Sequence, residues 1–286
     1  MPCRNAGLAV CVTVLASGCL FHATRPAPGP VDSTVHVELA ETIPSALGTL
    51  RLLLRTERRY GCSNMQLVTS LRTSPDALQL GIAGVRAPGV CLTSLAPASA
   101  QVDLGHLETG EYALRFLLNG AVIDSRLLVT ADTYRIVGGN AASFVIDHSA
   151  LRRVPAHMVW GWIGYSSAAD QAAASEYLHD LRALGAAPHL FPSGRYAPVV
   201  APGADEEFRI DDRGRLSFGG NMGFLYLEPY VFRYAGGAGA LRALVSATGE
   251  RHRGAVFVRL ETGAGDRFMS WAPAASAAAR RRGGRV

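Results

Sequence analysis

Few residues of this chain have the types and spacing that chemistry needs. Glu176 and His179 stand three apart in a helical stretch, with Asp180 beside them. That spacing puts a carboxylate and an imidazole on one helix face. A metal ion needs at least a third converging ligand, none is indicated, and a solvated polar face is the expectation. Asp147, His148 and Ser149 are consecutive, but neighbours on a strand point to opposite faces, so they are not a ready acid–base dyad. Asp205, Glu206, Glu207, Asp211 and Asp212 offer oxygens to calcium without the loop pattern of a calcium site. They flank a hairpin, where aspartates serve turns. The run GGNMG, 219–223, is glycine-rich but leads into a strand-like segment, whereas phosphate cradles open a helix. The chain has no Gly-x-Ser-x-Gly, no His-Glu-x-x-His and no Cys-x-x-Cys.

The aromatic residues carry the most suggestive pattern. Phe224, Tyr226, Tyr230, Phe232 and Tyr234 are all even-numbered, so in an unbroken strand they share one face. Trp160 and Trp162 share another. Seven such rings could form an exposed platform that stacks on sugars, which makes them candidate ligand-binding residues. The other reading is that they pack under a helix or between sheets, as most large aromatics do, and this is the expectation.

Composition excludes several chemistries. The chain contains no lysine, so all 28 of its Lys+Arg residues are arginine. P-loops, protein kinases and Ser-x-x-Lys acyl-enzymes each need a lysine amine, and no cofactor is expected. The formal net charge of +5 is carried by Arg4 and by Arg280, Arg281, Arg282 and Arg285 near the C-terminus. The body is therefore formally neutral, which argues against nucleic-acid binding by a folded face.

The start of the chain has a single charge at Arg4, an apolar run from Ala6 to Leu15, and small residues before Cys19. This is the order of a secretory signal peptide. The run is about half of the ~20 residues a membrane-spanning helix needs. Ala16-Ser17-Gly18-Cys19 resembles the lipobox of bacterial lipoproteins, with Ala16 where that family often has leucine. The resemblance implies cleavage before Cys19, acylation of its sulfur and of the new amino group, and a membrane-lipid partner. Leu20 stands where an aspartate often signals inner-membrane retention, so the resemblance implies the outer membrane. Residues 19–34 contain Pro26, Pro28 and Pro30 and suit a semi-rigid tether. Cys62 and Cys91 then remain. An even pair in an oxidising compartment most simply forms one disulfide; two buried free thiols are the alternative.

The elements that would position these residues fall into two regions. Residues 35–137 read as short strands separated by turns. In LETGEYALRFLLNGAVIDSRLLVT, Tyr112, Leu114, Phe116 and Leu118 share one strand face. Asn119-Gly120 suits a tight hairpin, because both positions need positive φ. Leu107-x-x-Gly110-x-Tyr112 resembles the turn and tyrosine that open a late strand in immunoglobulin-like sandwiches, which implies a bond from that hydroxyl back to the turn backbone. The fold class expected is mainly β: an N-terminal immunoglobulin-like β-sandwich followed by an α+β domain. Gly138-Gly139-Asn140 is the expected boundary, and 138–271 the second domain. There, one helix is capped at Ser166 or Ser167 and stopped by Gly185. Its apolar side is Ala174, Tyr177, Leu178, Leu181 and Leu184. FRIDDRGRLSF turns at Asp212-Arg213-Gly214, FLYLEPYVFRY is a strand with Pro229 as a bend or edge, and ALRALVSA and AVFVRLE follow. Residues 272–286 read as a disordered basic tail.

These readings converge on a non-enzymatic lipoprotein of the cell envelope that binds or scaffolds an envelope protein or glycan. The alternative is a glycan-binding protein or hydrolase with its site in the second domain.

Overall fold

The structure is a computed structural model that describes residues 27–43, 48–200, 207–219 and 223–270. The expected signal segment, Cys19, most of the expected tether, Asp205, Glu206 and the arginine-rich tail lie outside the described residues. The chain is mainly β, with two α-helices among the described residues.

The first region runs β1 (Val35–Thr42), β2 (Thr49–Cys62), β3 (Gln66–Thr73), β4 (Ala77–Arg86), β5 (Thr93–Gly105), β6 (Gly110–Leu118), β7 (Ala121–Val129), β8 (Thr133–Gly138), β9 (Phe144–His148) and β10 (Ala150–Arg152). The second runs β11 (Met158–Tyr165), α1 (Gln171–Ala183), β12 (Gly194–Tyr196), β13 (Pro198–Val199), β14 (Phe208–Ile210), β15 (Leu216–Phe218), β16 (Tyr226–Arg233), α2 (Ala238–Arg251), β17 (Val256–Thr262) and β18 (Arg267–Met269).

The first ten strands and β13 form one sheet in the order β10-β8-β7-β6-β4-β3-β5-β2-β1-β13, with β9 also on β1. One residue separates β9, which pairs with β1, from β10, which pairs with β8. The sheet therefore curls until its two ends nearly meet, around a core that includes Leu39, Leu52, Leu80, Leu114, Phe116 and Phe144. Two stacked sheets were expected; the hydrogen bonds follow one continuous path. The physical reason is partner choice. Strand β4 pairs in parallel with β6, and β5 leaves to join β2. Alternation within a strand says which face is buried but not which strand lies beside it.

The local features stand where their residues dictate. Leu114, Phe116 and Leu118 of β6 are buried, and Asn119 and Gly120 turn the hairpin at φ of 50° and 82°. The Tyr112 hydroxyl donates to the Glu108 carbonyl at 3.1 Å. Gly138 and Gly139 also have positive φ, yet their turn lies inside the first sheet, because β9 and β10 after it still pair with β1 and β8. The change of sheet comes between Arg152 and Met158.

In the second region, β16-β11-β17-β18 form an antiparallel sheet. Both faces of β11 are buried. Val159, Ile163 and Tyr165 pack with Ala174, Tyr177 and Leu181 of α1 and with Leu241 and Val245 of α2. On the opposite face, Met158 and Trp160 pack with Tyr196, Phe208, Ile210 and Leu216 of the small sheet β12-β14-β15. Helix α1 follows a 3-10 turn that Ser167 caps, and Gly185 ends it at φ 99°. Leu184 is 41% exposed, although the helical period puts it on the apolar side. ALRALVSA, expected among the strands, is helical. Leu241, Val245 and Thr248 are its buried face, an i, i+4, i+7 spacing that a strand cannot present on one side. The β14–β15 hairpin turns as expected: Asp211 exchanges backbone bonds with Gly214 and Arg215. Pro229 sits on the edge strand β16, where its missing N–H costs no ladder bond.

The two regions are joined through 194–200. β13 pairs in parallel with β1, with Glu41 opposite Pro198. Ala197 and Val199 belong to the first core, while Tyr196 and Val200 belong to the cluster around Trp160.

Candidate functional site

The candidate site is a cleft of about 990 Å³ where the two regions meet, lined by Glu41, Ile43, His106, Asp132, Arg153, Val154 and Gly263 among others. At its base is Glu41. Val35, Val37 and Leu39 alternate inward along β1, and Glu41 continues that parity, so a carboxylate enters the core side at 3% exposure. The chain keeps it there by hydrogen bonding. The Val154 amide donates to Oε2 at 2.6 Å, and the Tyr134 hydroxyl lies 3.4 Å from Oε1.

Burial pushes the Glu41 carboxyl above the ordinary glutamate range; the Val154 amide, the Arg153 charge and the Tyr134 hydroxyl oppose this without cancelling it. Tyr134 is pushed up to about 12, first by its own burial and then by the Glu41 charge. The Arg153 guanidinium lies over the Tyr134 ring, 5.1 Å from its centre. A carboxyl held in this way keeps its proton to higher pH than usual and can donate a hydrogen bond or a proton into the cleft. The exposed side chains of His106 and Asp132 line the same cleft, and Arg153 supplies a fixed positive charge.

A second polar group occupies the outer face of β1. His36 Nδ1 lies 2.7 Å from Asp147 Oδ1, and Arg55 reaches both Asp147 at 2.7 Å and Glu38 at 3.1 Å. Arg195, buried at 5% side-chain exposure, meets Glu38 at 3.3 Å and Glu207 at 2.8 Å and donates to the Leu39 carbonyl. Burial raises the Asp147 carboxyl, but the His36 hydrogen bond and the His36 and Arg55 charges outweigh it, and the net shift is downward. These charges satisfy one another, so the group acts as a clamp between β1, β9 and β12. Another buried carboxylate, Glu261, accepts from Arg259 and Arg267.

Of the seven aromatics, Trp160, Trp162, Tyr230, Phe232 and Tyr234 are buried, and a ring without an open face cannot stack on a sugar. Tyr226 is 39% exposed and stacks on Tyr165 at 5.1 Å. Phe224 departs from the expected parity. It precedes the strand and crosses to the opposite face, where it packs on Trp162 at 5.3 Å. Gly164 makes room for it, since a Cβ there would lie 2.5 Å from the Phe224 ring.

The remaining acidic candidates serve structure. Glu176 pairs with Arg251 and His252, and Asp180 lies 3.3 Å from Arg251, so both tie α1 to the end of α2, while His179 is exposed. Asp211 accepts from the backbone of Arg213 and Arg215, and the Arg215 backbone and side-chain bonds hold its carboxyl below the usual range. No group of three metal-ligating side chains occurs among the described residues. Cys62 and Cys91 are disulfide-bonded.

Glu41 and Arg195 carry the polar chemistry of the junction, and sequence reading passed over both. The available signal for Glu41 was a carboxylate at the core parity of VHVELAET; nothing local marks Arg195. Compared with known proteins, the chain matches no family model, no curated protein and no solved structure.

Proposed function

We propose that this is an exported, lipid-anchored protein of the bacterial cell envelope, attached through Cys19, whose body binds or scaffolds an envelope protein or glycan at the junction cleft. The observation that carries the reading is the bonded Cys62–Cys91 pair, which belongs in an oxidising compartment and agrees with a signal peptide that ends just before Cys19. The Tyr112–Glu108 corner supports a likeness to immunoglobulin-like modules in that part of the first sheet, and the helices over β16-β11-β17-β18 support an α+β second region. Outer-membrane placement rests on Leu20. The intact mass of protein extracted from the membranes of a native-type host tests the anchor. Loss of the first 18 residues with added acyl mass is expected, and Cys19→Ala abolishes both. An unacylated chain that keeps those residues overturns the reading.

One observation favours a second reading, a hydrolase: the raised Glu41 carboxyl in the cleft is suited to donate a proton. Its folding energetics can be checked directly. A folded-state value raised above the unfolded one means that stability is fully present below the ordinary glutamate value near 4.5 and falls as pH rises through the folded value. Glu41→Gln keeps an acceptor for the Val154 amide and removes the ionisation. We expect it to flatten that fall in urea titrations above the ordinary glutamate range and to be at least as stable as wild type at neutral pH. Glu41→Ala leaves a buried amide unpaired and is expected to cost about 1–3 kcal/mol. A pH profile unchanged in Glu41→Gln would show that the carboxyl is not the titrating group.

A further inference from the structure

We propose that the disulfide-bonded end of the first sheet is a membrane-contacting tip, in which Val90, Leu92 and Leu95 enter the interfacial layer of the bilayer and Arg59 and Arg86 meet anionic headgroups. The orientation of this tip rests on the lipid-anchor reading above.

The first observation is clustering. Val90, Leu92 and Leu95 are 75%, 57% and 63% exposed within six consecutive residues. Scattered surface leucines need no explanation, but a local apolar cluster marks a contact surface. Several of its backbone groups are bonded within the protein. The Ser63 amide donates to the Leu92 carbonyl at 2.9 Å. Asn64 donates to the Val90 carbonyl at 2.7 Å and accepts from the Leu92 amide at 3.0 Å. The Cys62–Cys91 bond fastens the loop to the end of β2. A segment that enters an apolar layer must satisfy backbone groups internally while its side chains face outward, and the bonds to Val90 and Leu92 serve that end.

The second observation is charge. No aspartate or glutamate occurs from Arg58 to Pro75 or from Ala77 to Val102. Arg59 is exposed and donates to the Leu95 carbonyl at 2.8 Å. Arg86 ends β4 at the same end of the sheet, where it pairs with Gln66. Apolar side chains flanked by Arg59 and Arg86 complement the interface of an anionic bilayer, and Asp32, at the same end, is paired with Arg58.

The third observation is where the chain enters. Gly29 exchanges backbone bonds of 2.9 and 2.8 Å with Val85, next to Arg86. Gly84 permits this approach, since a Cβ there would lie 2.2 Å from the Gly29 carbonyl oxygen. Asn119 donates to the Val31 carbonyl, and Arg58 pairs with Asp32, fixing the entering segment to this end. Ten residues lead from Cys19 to Gly29, which reach at most about 35 Å when extended. An acyl anchor at Cys19 therefore holds this end of the sheet close to the membrane, where even a weak tip contact is made effective by local concentration.

The test uses the mature protein extracted from membranes and reconstituted in phosphatidylethanolamine vesicles containing phosphatidylglycerol, with and without brominated acyl chains. In Leu92→Trp the added tryptophan is expected to lose about half its emission to the bromines; in Leu184→Trp, at the end of α1, it is expected to be unaffected. Val90→Asp with Leu92→Asp and Leu95→Asp alters only exposed positions, and a native circular dichroism spectrum verifies its fold. Absence of quenching at position 92, or equal quenching at 184, overturns the tip. So does a vesicle-independent dimer that the triple aspartate variant dissolves, because the occupant is then a second copy. Intact mass reads acylation in each sample separately. Acyl mass without quenching removes the tip and keeps the anchor, and quenching without acyl mass removes the anchor and keeps the tip contact.

Discussion

Trp160→Ala is expected to destabilise the protein by about 3–5 kcal/mol, the range for deleting a large aromatic from a packed interior. The indole is fully buried on β11, 5.4 Å from the Phe208 ring, which in turn stacks on Tyr196 at 5.0 Å. Met158, Phe191, Ile210 and Leu216 pack in the same cluster. The residue therefore holds the small sheet β12-β14-β15 against the four-stranded sheet, and alanine leaves a cavity between layers that are fixed elsewhere by strand pairing. Its Nε1 is buried without a hydrogen-bond partner, so part of what the indole contributes is offset by that unpaired donor. Trp160→Phe removes the donor and keeps a ring, and it is expected to cost far less than the alanine variant. Tyr226→Ala, at the exposed end of β16, should change stability by about 1 kcal/mol or less. Urea midpoints of the three variants are the measurement. Equal midpoints for Trp160→Ala and wild type would mean that the indole does not bridge the layers, and would reopen these aromatics as a ligand surface.

Replacing both bonded cysteines, Cys62→Ser with Cys91→Ser, is expected to cost about 3.5 kcal/mol, from the chain entropy of closing a loop of this length. The two residues are 29 apart in sequence. For a chain of this size that corresponds to a fall in melting temperature of roughly 7–14 °C, and a reductant should produce the same fall in the wild type. The bond ties the ragged ends of β2 and β5, where the register shifts between Arg55 and Arg59 and again before Cys62. Proteolysis of the double-serine variant should therefore begin in the loop 87–92, between β4 and β5. A melting temperature that neither the substitution nor reduction moves would show that β2 and β5 hold their register without the bond.

Much of the local structure was legible because its causes lie within a few residues. Asn119-Gly120 turns because both positions can adopt positive φ. Leu114, Phe116 and Leu118 face inward because strand side chains alternate. Gly185 ends α1 for the same reason that Gly120 turns a hairpin. Where the local signal was ambiguous, reading faltered. ALRALVSA fits a helix face and a short apolar strand almost equally, and packing selects the helix: Leu241 and Val245 join the core of α1, β11 and β17. The glycine pair at Gly138 marks a turn wherever it falls, and whether a turn ends a domain depends on the partners of the next strands.

By itself the sequence determined a mainly β chain, a cysteine pair suited to one disulfide, and the inward faces of most strands. All of these follow from residue type and short-range periodicity. The tertiary structure alone decided that the first strands close into one curled sheet, that the aromatic residues are spent on packing, and that Glu41 lies beneath a cleft. The reason is sequence distance. Glu41 meets Val154 across 113 residues, and Arg195 meets Glu38 across 157. Pairings that far apart are selected by how whole layers fit together, which no local pattern encodes.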